Sequence, residues 1–152
     1  SHVAKTGMME AVSLSRTPVV ATHTCCRALR DHARNLDDEQ LDALRGSGGL
    51  VQITAVPAFL RDAGPDGRYR ASVADLVDHV DYAVRRIGLE HVGLSSDFDG
   101  GGGVDGWRHA GETANLTAEL ARRGYDAAQI RLLWSGNFLR LMRQAEAVAA
   151  AG

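Results

Sequence analysis

The stretch VGLSSDFDG at residues 92–100 constrains the fold of this chain more than any other. It begins as a short apolar run and ends in two carboxylates, Asp97 and Asp99, beside several glycines. An apolar run of this length, bounded by glycine, predicts a buried strand. In parallel α/β folds the carboxyl ends of strands carry the chemistry, because loops converge there on an open crevice. A carboxylate at a buried strand end is costly unless it is partnered, so Asp97 is either held by backbone donors or takes part in chemistry.

The rest of the chain alternates between helical and strand patterns. Strands are expected over residues 18–22, ending at His23, over residues 50–55 and over residues 91–96. Apolar periodicity predicts helices over residues 3–16, 37–45, 73–87, 116–123, 127–134 and 137–149. This order predicts βα units and a parallel sheet. Three strands leave a parallel sheet with open edges, so the pattern is that of part of a barrel with the rest missing.

Three helix starts carry capping signals. Asn35 is expected to cap the helix over residues 37–45, Ser72 with Asp75 forms a capping-box-like start, and Asp126 caps the helix that follows it. Residues 57–70, with two of the three prolines, are expected to form a loop.

Composition narrows the class of protein. A chain of 152 residues predicts one domain with a sizeable core, and its net charge of −2 gives no argument for nucleic acid or an anionic membrane as a partner. No apolar run approaches the roughly 18 residues that a membrane helix needs, and the start of the chain has no signal-peptide pattern. The adjacent Cys25 and Cys26 predict free thiols in a reducing compartment, and we expect a cytoplasmic location. The chain opens without methionine, which suits a processed chain or part of a longer one.

The candidate chemistry lies where strands end. His23 follows the first predicted strand, Phe59 lies in the loop after the second, and Asp97 follows the third. His2 stands just before a helix, where a preceding strand would have ended. Two histidines and a carboxylate that face one crevice are the parts of a metal site, although a lone histidine is more often structural or solvated.

The other histidines favour ordinary roles. His79 lies in a predicted helix between acidic neighbours, so a surface or packing role is expected. His32, His91 and His109 lie in or near loops, and solvation is expected for all three.

A cationic loop follows the first strand. Arg27, Arg30 and Arg34 form either a solvated loop or an anion site. Arginine suits a carboxylate ligand because its planar fork binds both oxygens at once.

Seven segments together carry a recognisable pattern. They read SHV (1–3), RTPVVATH (16–23), RN (34–35), ADLVDHVD (74–81), VGLSSDFDG (92–100), NLT (115–117) and GNFLR (136–140). In this order, and over nearly the whole chain, they resemble the C-terminal half of the renal (membrane) dipeptidase family of zinc peptidases. The resemblance implies an α/β fold, the second half of a (β/α)8 TIM barrel that is incomplete on its own, with residues 1–152 as one partial domain.

The resemblance also implies roles for individual residues. His2 and His23 match two histidines that bind one of two zinc ions, and Arg34 matches the arginine that binds the carboxylate of the dipeptide. Asp97 matches the aspartate that moves protons while a zinc-bridging hydroxide attacks the peptide carbonyl. Phe59 stands where some members have a tyrosine that helps to bind the substrate carboxylate.

The family's remaining metal ligands lie outside this chain. Its N-terminal His-x-Asp motif, its bridging glutamate and a further active-site histidine would all precede Ser1. A zinc dipeptidase with its N-terminal half supplied by the same precursor or a second chain is therefore expected, with dipeptides as substrates and a homo-oligomeric state. The alternatives are a non-catalytic fragment or binding subunit, and another metal-dependent amide or lactone hydrolase.

Overall fold

The structure, a computed structural model, describes residues 1–151 as strands that alternate with helices. The strands are β1 (Val20–Thr24), β2 (Leu50–Thr54) and β3 (Val92–Ser95). The α-helices are α1 (Lys5–Leu14), α2 (Asp38–Gly46), α3 (Pro57–Leu60), α4 (Val73–Ile87), α5 (Thr113–Arg122), α6 (Ala127–Arg131) and α7 (Asn137–Ala151). Single 3-10 turns span Leu89–His91, Phe98–Gly100 and Ala110–Glu112, and a π-helical segment spans Leu132–Gly136.

The three strands form one parallel sheet in the order β1-β2-β3. Crossovers from β1 to β2 and from β2 to β3 contain helices, as parallel pairing requires. The predicted α/β class and the alternation of strands with helices are therefore confirmed.

The core lies between the sheet and its covering helices. Leu50, Val51 and Ile53 of β2 are completely buried. Helix α4 packs against the sheet with one apolar face, which comprises Leu76, Val77, Val80, Ala83 and Ile87. Full burial of each large aliphatic side chain contributes roughly 1.5–3 kcal/mol, so this face is the main attachment of α4.

One of the three predicted helix caps is wrong. Asp37, rather than Asn35, caps α2: its carboxylate accepts a hydrogen bond from the Gln40 backbone N–H, and the Gln40 side chain accepts one from the Asp37 N–H. Asn35 lies two residues too early for this geometry and is buried. The capping boxes at Ser72 and Asp126 are confirmed.

Two predicted loop positions also differ from the structure. The segment 57–70 begins with the short helix α3, because Pro57 is favourable at a first helical position. His91 is buried rather than solvated, with its Nδ1 2.9 Å from the carbonyl oxygen of Gly49. His79 is buried as a packing residue, and Cys25 and Cys26 are free thiols.

Large apolar side chains lie exposed on the first and last helices. Leu14 of α1 is 74% exposed, and Phe138, Leu139 and Met142 of α7 are 36–46% exposed. Strands β1 and β3 are the two edges of the sheet. Within the part of the chain described, no helix has the length and apolar character to cross a membrane.

Candidate active site

A β-bulge in β1 orients the first candidate metal ligand. Between two registered pairs of β1 and β2, Thr22 and His23 lie opposite the single residue Gln52. Bulges bend a strand and redirect a side chain, and they are frequent beside active sites. Strand β1 ends at the buried Thr24, one residue beyond the predicted end at His23. His23 is therefore the second-to-last residue of the strand rather than the residue that follows it.

His2 and His23 lie in direct contact at this edge of the sheet. Their Nε2 atoms are 2.8 Å apart, and their ring centroids are 4.9 Å apart. The backbone N–H of His23 donates to Ser1 Oγ at 3.0 Å, which fixes the start of the chain against β1. The two candidate metal ligands are thus brought together although 21 residues separate them in sequence.

The tautomer of His23 follows from its neighbours. Arg34 Nη2 lies 3.3 Å from His23 Nε2, and because a guanidinium can only donate, His23 Nε2 is the acceptor. The ring proton is then on Nδ1, which lies 2.9 Å from Thr22 Oγ1. A histidine that binds a metal through Nε2 needs this tautomer, with the other nitrogen donating to a neighbouring oxygen.

The surroundings of His23 favour its neutral form. Burial lowers its pKa below the usual value, and the negative charge of Asp97 opposes this shift without cancelling it. Neutral imidazole is the form that binds metals. The donor chemistry of His2 and His23 therefore fits part of a zinc site. Within residues 1–151, however, no group of three or more His, Cys, Asp or Glu side chains is placed to hold a metal ion.

Arg34 lies between the histidine pair and an aromatic ring. Its Nε donates to the Ser1 carbonyl oxygen at 3.2 Å, and its guanidinium carbon lies 5.4 Å from the centre of the Phe59 ring. Phe59 is only 9% exposed and also packs against the His32 ring, with ring centroids 4.7 Å apart. The guanidinium therefore lies within cation–π distance of a ring that supplies apolar contact and no hydrogen bond.

Asp97 has the only positive backbone φ among the described non-glycine residues, at 54°. Its carbonyl oxygen accepts hydrogen bonds from the N–H groups of Gly100, at 2.9 Å, and Gly102, at 2.7 Å. A Cβ on Gly102 would lie 2.0 Å from the Ser96 carbonyl oxygen, so this turn requires glycine there. The backbone donors therefore hold the Asp97 main chain.

The Asp97 carboxylate is not held in the same way. It caps no helical turn and accepts no hydrogen bond from the residues described. A Cβ on Gly100 would lie 2.2 Å from Asp97 Oδ1, so the bare Gly100 backbone makes room for the carboxylate. Its negative charge raises the pKa of His23 against the larger effect of burial, so the carboxylate lies within electrostatic range of that ring. Left-handed conformations at non-glycine residues are strained and cluster at functional sites.

The structure thus brings His2, His23, Arg34 and Phe59 into one chain of contacts, and Asp97 is joined to them electrostatically. Sequence reasoning missed the polar residues that support them, which are Ser1, Thr22, Thr24 and Asn35. Thr24 is fully buried, and its hydroxyl donates to the Arg34 carbonyl oxygen at 2.7 Å. No local pattern predicts the contacts of Ser1 with His23, of Thr24 with Arg34 or of Asn35 with Phe59, because each joins residues at least ten positions apart. The contact of Thr22 with the adjacent His23 depends on the bulge in β1.

In α/β barrels the functional residues lie at the carboxyl ends of the strands and in the loops that follow them, where His23, Arg34 and Asp97 lie in this sheet. The membrane dipeptidase family (peptidase family M19) matches over residues 1–152. The chain belongs to this family.

Individual relatives agree with the family match. The dipeptidase tcpJ of Claviceps purpurea is 35% identical over 151 residues, which are 99% of this chain and 35% of that protein. The probable dipeptidase PvdM of Pseudomonas aeruginosa has a structure that superposes with a TM-score of 0.88 at 33% identity, over 93% of this chain and 48% of that one. A metallopeptidase of Rhodobacter sphaeroides, liganded with a phosphinate mimic of the dipeptide L-Ala-D-Ala, gives a TM-score of 0.87 at 34% identity, over 95% and 41%. The chain therefore spans between about a third and a half of these relatives.

Proposed function

We propose that this chain is the C-terminal half of a zinc-dependent dipeptidase barrel that hydrolyses the peptide bond of dipeptides. The observation that carries the proposal is the convergence of the His2 and His23 Nε2 atoms beside the Arg34 guanidinium. Membership of the dipeptidase family supports the reaction, and the similarity to solved metallopeptidases supports the metal.

In this proposal His2 and His23 hold one zinc ion through their Nε2 atoms. Zinc bound there would acidify a water and polarise the peptide carbonyl. The hydrogen bond between His23 Nδ1 and Thr22 Oγ1 fixes the ring and its tautomer. Two histidines are too few for a strong zinc site, so the other ligands come from the N-terminal half of the barrel.

Arg34 binds the carboxylate of the dipeptide. Its Nη1 donates to no described residue, so one end of the guanidinium fork is available to an incoming anion. Phe59 offers a ring face to the guanidinium and an apolar wall to the substrate, in place of the hydroxyl that a tyrosine would supply.

Asp97 moves the proton during hydrolysis. Its carboxylate is free of structural hydrogen bonds, while the glycine turn beside it is held through the Asp97 main-chain carbonyl. It takes a proton from the attacking water and delivers it to the leaving amine, which is general base catalysis followed by general acid catalysis by one group.

The exposed apolar surfaces support the proposal that an N-terminal half of the barrel packs against this chain. Parallel sheets are normally covered on both faces and closed at their edges. Here the outer edges of β1 and β3 and the apolar side chains of α1 and α7 lie open. The N-terminal half would cover them and complete the barrel.

The test uses the complete protein with both halves of the barrel. We expect about two zinc ions per assembled unit and hydrolysis of unblocked dipeptides. His23→Asn is expected to lower zinc content and activity together. His109→Asn is expected to change neither, because the exposed His109 ring accepts a hydrogen bond from the Gly111 N–H and lies near Glu112, within its own short turn. Zinc content near zero would favour a non-catalytic binding subunit, and activity on lactones or other amides but not on dipeptides would favour a different hydrolase.

A further inference from the structure

The short helix α3 is held by side chains from two other parts of the chain. A helix leaves its last carbonyl groups without helical partners, and a four-residue helix has few others to rely on. The Phe59 carbonyl accepts a hydrogen bond from Asn35 Nδ2 at 2.8 Å, and the Leu60 carbonyl lies 3.3 Å from His79 Nε2. His79 Nδ1 accepts from the Cys26 N–H, so Nε2 carries the ring proton and donates to Leu60.

Asn35 uses both protons of its amide on backbone carbonyls. Besides the Phe59 carbonyl, Nδ2 donates to the Arg30 carbonyl at 2.9 Å. The residue is only 2% exposed, and its Oδ1 has no hydrogen-bond partner among the described residues. An unpartnered buried oxygen costs about 1–3 kcal/mol, so the favourable polar contacts of this side chain are those of its nitrogen.

The contacts of Asn35 tie together the two residues that form the proposed carboxylate subsite. Its own backbone follows Arg34, whose carbonyl is fixed to β1 by the Thr24 hydroxyl. Its side chain holds the backbone of Phe59, whose ring lies under the Arg34 guanidinium. A salt bridge between Arg30 and Asp62 also spans these segments, but Asp62 is 85% exposed and such pairs contribute little.

We propose that Asn35 is a positioning residue for the dipeptide carboxylate, which sets the placement of the Phe59 ring against the Arg34 guanidinium. This inference rests on the proposed function, in which Arg34 binds that carboxylate. Asn35 touches no substrate itself. It acts by fixing the ring that orients the guanidinium fork.

The test compares Asn35→Leu with Asn137→Leu in the complete zinc-loaded protein. Asn137 is a matched control, because it is also 2% exposed and its Nδ2 also donates to two carbonyls, those of Leu89 at 2.7 Å and Val92 at 2.8 Å. Those carbonyls lie at the amino end of β3, away from the strand ends that carry the site. Both variants leave two carbonyls without a donor, so both are expected to lower the melting temperature.

The decisive readout is the preference for a free carboxylate. We measure kcat/KM for a dipeptide and for its C-terminal amide, and the Kd of a phosphinate dipeptide mimic in both forms by calorimetry. Asn35→Leu is expected to reduce the preference for the free carboxylate by about 10- to 100-fold, the loss that a misplacement of about 1 Å produces. The loss appears in KM and Kd, with zinc content unchanged. Asn137→Leu is expected to keep the wild-type preference.

A second variant tests the same proposal in case Asn35→Leu does not fold. Asn35→Ser leaves room for a water that can bridge to the two carbonyls, and it should show an intermediate loss of preference. An unchanged preference in a folded Asn35 variant overturns the positioning role and leaves the proposed function standing. A wild-type protein that hydrolyses dipeptides and their amides equally well overturns the carboxylate subsite, and the role of Asn35 falls with it.

Discussion

Replacement of Asp97 by asparagine is the sharpest test of the proposed chemistry. Asparagine has the same shape and tolerates the left-handed conformation that Asp97 adopts at φ 54°. It cannot take up a proton. The substitution therefore removes one chemical property and leaves the turn intact.

The structure gives the expected magnitudes. The hydrogen bonds of this turn end on the Asp97 main-chain carbonyl, not on its carboxylate, so the free energy of unfolding should change by less than about 0.5 kcal/mol. Loss of general acid–base catalysis lowers kcat by about 10²–10⁴-fold. Such a loss corresponds to about 2.7–5.5 kcal/mol of activation free energy. The effect on turnover should thus exceed the effect on stability several-fold.

The assay measures kcat, zinc content and melting temperature of the complete protein for Asp97→Asn and Asp99→Asn. Asp99 is the matched control, since it lies two residues on, is exposed and shares the same 3-10 turn. We expect Asp99→Asn to act at most on loop stability.

A glycine variant adds an independent probe of the Asp97 carboxylate. In Gly100→Ala the new methyl group would meet the Asp97 side chain at 2.2 Å, and its three nearest atoms all belong to that carboxyl group. The carboxylate must rotate away, so kcat should fall while zinc content stays constant.

A lower melting temperature with normal turnover of folded Asp97→Asn would refute the reasoning. Loss of turnover at Asp99 with Asp97→Asn still active would reverse the assignment.

Three further predictions follow from the site and the fold. Arg34→Lys removes the planar fork and should lower kcat/KM by about 10- to 100-fold with zinc content unchanged, because a charged hydrogen bond contributes about 1.5–3 kcal/mol; an unaltered kcat/KM would place Arg34 in a solvated loop. Burial lowers the pKa of His79, so the unfolded chain takes up a proton before the folded chain as the pH falls. The free energy of unfolding should therefore keep the full contribution of His79 above a pH of about 6.5 and decline below it by at most about 1.4 kcal/mol per pH unit. A free energy of unfolding from denaturant titrations that stays constant between about pH 7 and 5 would contradict this. Residues 1–152 expressed alone should aggregate or dimerise through the open apolar surfaces, and a sharply melting monomer in ultracentrifugation would count against the half-barrel.

Much of the fold follows from short-range sequence patterns. The apolar period of residues 73–87 and the capping pair Ser72 and Asp75 predict α4 with its observed bounds. The apolar run ending before Asp97 predicts β3 to within a residue. These predictions succeed because helix periodicity, capping and strand burial depend on residues a few positions apart.

The candidate site could be predicted only in part. The places of His2, His23 and Asp97 at predicted strand ends make them candidate site residues, since parallel strands present those ends at one edge of the sheet. The cationic loop makes Arg34 a candidate for an anion site, the family resemblance implies the carboxylate-binding roles of Arg34 and Phe59, and the structure places the guanidinium over the ring.

Tertiary structure alone decided the support of that site. The bulge that redirects His23 depends on the register between β1 and β2, and the hydrogen bond from Asn35 to Phe59 spans 24 residues. Asparagine is a favoured helix-cap residue, yet the buried Asn35 donates to the Phe59 carbonyl of α3, and Asp37 caps α2 instead. Sequence patterns depend on residues that are neighbours along the chain, whereas these contacts depend on how separate elements pack. Where local propensity does not distinguish two hydrogen-bond partners, the tertiary packing determines which one is used.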